Sequence, residues 1–115
     1  MQLLVFITNH SEHLPRLLSA FTAQGVSGAT IVNCEGMLHM LAACENIEKP
    51  AFFSKARSLF DDSGEQGKMV LAVMPDERVA DSKEAIRQIC GDFDRPNTGI
   101  MFTLPVMHFE GVTRK

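Results

Sequence analysis

Apolar residues recur along this chain with two different periods. Residues 3–8 (LLVFIT) are apolar at both parities and include β-branched Val5 and Ile7, which predicts a strand buried on both faces. From Leu14 the period changes: Leu14, Leu17, Leu18 and Phe21 recur at helical spacing. Pro15 falls in the first turn of that helix, where its missing N–H is tolerated. Asn9 and Ser11 are N-cap candidates, and Glu12 stands where it would complete a capping box from Asn9. Gly25 ends the helix as a C′ glycine, and Ala29 to Cys34 reads as the second strand. Gly36 follows and opens a loop.

Residues 36–67 are less regular. Pro50 reads as an N1 proline, and Phe52, Phe53, Ala56, Leu59 and Phe60 form the apolar stripe of a helix over 50–62. Lys68 to Met74 is a third strand, again apolar at both parities. Val79, Ile86 and Ile89 mark the inward side of a helix within "PDERVADSKEAIRQIC", residues 75–90. Residues 91–99 are rich in turn formers, and Ile100 to Phe109 reads as the last strand. The order of strand, helix, strand, insertion, strand, helix, strand gives two βαβ halves. It predicts an α+β chain, a ferredoxin-like βαββαβ sandwich with an antiparallel four-stranded sheet, as one domain over 1–115 with a helical insertion at about 38–67. Such a sheet, covered by helices on one side, commonly turns a polar face outward. These strands are apolar at both parities, so the second face is expected to meet another copy in a homo-oligomer.

Composition narrows the function classes. Net charge is −3 and the pI is near 5.7, with acidic and basic residues interleaved, so there is no electrostatic case for nucleic acid or anionic lipid. No apolar run approaches the length of a membrane span, and the first ten residues lack a basic region and a cleavage site of the secretory kind. Three cysteines without C-x-x-C spacing predict reduced thiols in a cytoplasmic protein. Cys34, Glu35, His39 and Cys44 match no zinc spacing, and in an extended chain Cys34 would point away from Glu35 and His39. His10 and His13 read as capping or solvated residues, and Asp61, Asp62, Asp92 and Asp94 as turn residues. No G-x-S-x-G, H-E-x-x-H or P-loop is present, so no catalytic residue is expected. Met37 and Met40 read as gap-filling core residues.

Three stretches in register resemble the PII nitrogen-regulatory proteins. "GVSGATIVNCEGM" (25–37) resembles their helix-to-strand turn and T-loop entry, "KMVLAVMPDERV" (68–79) their third strand and its turn, and "NTGIMFTLPV" (97–106) their last loop and final strand. The resemblance implies a trimeric, ferredoxin-like signal-transduction protein that is not an enzyme. It also implies a small effector in the clefts between subunits, an adenine nucleotide or a cyclic dinucleotide. Carried over by position, the ligand-binding residues would be Thr30, Glu35, Gly36 and Met37, then Arg95, Asn97, Thr98 and Gly99. Glycines there would let backbone N–H groups approach phosphates. Residues 36–67 would be reordered by the effector and engage a regulated protein partner, with Phe52, Phe53 and Phe60 either docking that partner or packed as core.

The chain departs from the family where Glu35 and Ile100 replace customary lysines, which disfavours a triphosphate. It contains no tyrosine for nucleotidylation, and its C-terminal segment has only Arg114 and Lys115 as cations. Two other readings share the architecture: a metal-associated trimer like the CutA proteins, and a ligand-free structural oligomerisation module.

Overall fold

In chain order the elements are β1 (Gln2–Thr8), a 3-10 turn (Ser11–His13), α1 (Leu14–Ala23), β2 (Ala29–Cys34), α2 (Met37–Ala43), β3 (Gly67–Met74), α3 (Asp76–Cys90) and β4 (Ile100–Pro105). The computed structural model describes residues 1–26, 28–44, 48, 67–94 and 99–111. The helix expected over 50–62 lies outside them.

β1 and β3 are the two interior strands. β1 runs antiparallel to β3, with Val5 opposite Leu71, and to β4, with Val5 opposite Phe102. β2 pairs antiparallel with β3, and the sheet order is β2-β3-β1-β4. β1 and β2 are therefore parallel with β3 between them, and β3 and β4 are parallel with β1 between them. α1 lies between β1 and β2 in the chain, and α3 between β3 and β4, as the crossovers of two split βαβ units. The architecture is α+β with a four-stranded antiparallel sheet, compatible with the ferredoxin-like plan.

The period-2 alternation of the strands separates two faces. Leu4 and Phe6 of β1, with Val70, Ala72 and Met74 of β3, are buried against Leu14, Leu17 and Phe21 of α1 and Val79, Ala85 and Ile86 of α3. Phe93 meets Phe6 edge-on, with ring centroids 5.9 Å apart. The opposite face carries Leu3, Val5 and Ile7, flanked by Val73, Leu71 and Met69 of β3 and by Leu104, Phe102 and Ile100 of β4. Thr30 and Val32 of β2 extend it. Val5, at its centre, is buried by its neighbours alone, whereas Val32, Ile100, Phe102 and Leu104 are exposed. This face is apolar across the strands, as both-parity hydrophobicity predicted.

Four expectations need correction. The last strand ends at Pro105, not at Phe109, because proline has no N–H for the ladder; Val106 N–H then donates to the Met1 carbonyl, and Phe109 lies beyond the sheet. The capping box does not form: α1 begins only at Leu14, after the 3-10 turn, and neither element has a side-chain cap. Met37 and Met40 are not core, being 73% and 53% exposed. Residues 37–43 are helical, where no element was expected; "MLHMLAA" consists largely of strong helix formers but has no polar stripe to reveal its period.

Gly25 has φ +87, the left-handed geometry of a C′ glycine, and sits beneath the Arg78 guanidinium, which donates to the Gln24 carbonyl at the end of α1. Among the described residues no helix is long and apolar enough to cross a membrane.

Candidate functional site

The strand directions bring the end of β1, the end of β2, the start of β3 and the start of β4 to one end of the sheet. Glu35, Gly36, Met37 and Gly99 all lie there. Glu35 leaves β2, and Gly36 has extended backbone (φ −77, ψ 157) as the N-cap of α2, with its carbonyl accepting from Met40 N–H. Glu35 and His39 then stand one helical turn apart, and His39 Nδ1 lies 3.0 Å from Glu35 Oε1 with both side chains exposed. Because the chain turns helical at Met37, His39 folds back onto Glu35, which the extended reading did not anticipate. The carboxylate at the predicted ligand loop thus has an imidazole beside it. The neighbouring Lys68 ammonium donates to Asn33 on the adjacent strand.

Gly99 holds a different position. Its φ is +124, and a Cβ there would overlap the Ile7 carbonyl oxygen, so the chain enters β4 by passing directly over the end of β1. This close approach, not room for a ligand, requires the glycine. Gly36 is the converse case, since among the described residues a Cβ there meets nothing within 4 Å.

The predicted lining residues are not all adjacent within one copy. β2 and β4 are opposite edges of the sheet, so the chain segments that carry Gly36 and Gly99 are set apart by three strand spacings, about 14 Å across the sheet. Thr30 is further off along β2, opposite Leu71 on the open face and about 16 Å from Glu35 at the strand rise. Glu35, Gly36 and Met37 are the members brought together by local structure. Arg95, Asn97 and Thr98, together with Phe52, Phe53 and Phe60, lie outside the described residues.

A second polar group at the same end follows β1 and was missed as a unit. Glu12 Oε1 lies 3.4 Å from His10 Nδ1 and 3.7 Å from His13 Nε2, so the residue expected to cap the helix is taken by two imidazoles. The His10 N–H donates to the buried Thr8 hydroxyl, which fixes the exit from β1. Cys90, at the end of α3, is held to a raised pKa of about 11, mainly by burial and then by the Glu12 carboxylate, with Arg16 opposing. It is a free thiol held protonated at neutral pH and thereby a weak nucleophile. The Asp76 carboxyl, at the other end of the sheet, is held below its ordinary value by hydrogen bonds from the Met1 amino group and Gln2. Among the described residues no three His, Cys, Asp or Glu side chains are grouped so as to hold a metal ion.

No protein-family model matches the chain, and no curated protein matches it.

Proposed function

We propose that the chain is a divergent PII-like regulatory subunit with the ferredoxin-like fold, and not an enzyme. Three copies pack through the open sheet face. A small effector, an adenine nucleotide or a cyclic dinucleotide, binds in the clefts between them and is read out to a protein partner through residues 36–67. The observation that supports this reading best is the open face itself: Val32, Ile100, Phe102 and Leu104 are exposed on a surface continuous with Leu3, Ile7, Met69, Leu71 and Val73. A face of this kind on one side of a sheet marks an interaction surface. Self-association also offers a way to reconcile the site, since loops at opposite edges of one sheet can approach each other across a subunit boundary.

The test is melting temperature at fixed protein concentration against ATP, ADP, AMP, cyclic di-AMP and divalent metal ions. A ligand that binds only the native state at a hundred times its Kd adds about 2.7 kcal/mol, or roughly 11 °C for a chain of this length. A dose-dependent rise with a nucleotide supports the effector reading and identifies its class. A rise with a metal alone favours the CutA-like reading. No rise with any compound leaves the ligand-free oligomerisation module and removes the effector from the account.

A further inference from the structure

We draw no further inference here: the strongest candidate, the exposed apolar sheet face carrying Val32, Ile100, Phe102 and Leu104, belongs to the assembly already proposed, and nothing in the structure shows any other partner covering it.

Discussion

Gly36 and Gly99 are both glycines of the predicted ligand loops, yet replacing each by alanine should have opposite consequences. At Gly99 the backbone has φ +124, a region in which a side chain costs about 1–3 kcal/mol. The new Cβ would also overlap the Ile7 carbonyl oxygen, a backbone atom near the end of the interior strand β1 that has little freedom to move. Relief requires the start of β4 to lift away, loosening the Ile7–Ile100 pairing at about 1 kcal/mol more. The expected loss for Gly99→Ala is therefore about 3 kcal/mol. With 115 residues and an unfolding entropy of about 2.1 cal/mol/K per residue, that is a fall in Tm of about 12 °C. Gly36→Ala introduces a Cβ at φ −77 that meets nothing within 4 Å among the described residues, so its stability should stay within about 0.5 kcal/mol of the parent. Thermal unfolding followed by circular dichroism, at one protein concentration for all variants, reads both. A Gly99→Ala variant melting within 2 °C of the parent, on the scale of that entropy, would refute the close approach of β4 to β1. If the Gly36 backbone contacts the effector, Gly36→Ala should weaken the ligand-induced rise in Tm while leaving the unliganded Tm in place.

Other expectations follow from single contacts. Gly25→Ala combines φ +87 with a Cβ 2.8 Å from Arg78 Nη1 and should cost about 2 kcal/mol; in an Arg78→Ala background urea unfolding should show a smaller loss, and equal losses would sever the two residues. Ser82→Ala removes a fully buried hydroxyl that has no hydrogen-bond partner among the described residues, so it should raise stability by about 1 kcal/mol; a comparable loss would mean that the hydroxyl is bonded after all. Cys90 gives a pH dependence of defined sign. The unfolded thiol, with its ordinary value of 9.0, loses its proton before the folded one at about 11, so between those values the unfolded state binds fewer protons and stability falls as pH rises. Below pH 9 the group contributes no slope, and replacing it by alanine should remove the alkaline slope that it adds.

The strands were readable because apolar runs at both parities have few alternatives, and α1 and α3 because their stripes contrast with polar neighbours. Gly25 was readable because a turn glycine after a helical stripe has a definite conformational use. α2 was not, since Met37, Leu38, Met40 and Leu41 give a helix former's composition without a face. The Glu12 pairing escaped because a capping box and a contact with two histidines use the same carboxylate, and the choice depends on a 3-10 turn that spacing does not encode. The separation of Gly36 from Gly99 depends on sheet order. Two loops that both follow the rule "glycine near a strand end" fall at one end of the sheet but at opposite edges, and that arrangement is a property of long-range pairing.

The central claim is that the open sheet face is a surface between copies of this chain, and the most direct measurement is the molar mass in solution by light scattering, for the parent and for Phe102→Glu. The parent chain of 12.7 kDa should have the mass of three copies. Phe102, at 41% exposure on the edge strand β4 beside Val5, should become a buried charge in the assembly when replaced by glutamate, and the variant should fall to the mass of one copy while keeping its folded circular dichroism. A parent that elutes with the mass of one copy at every concentration would contradict the account.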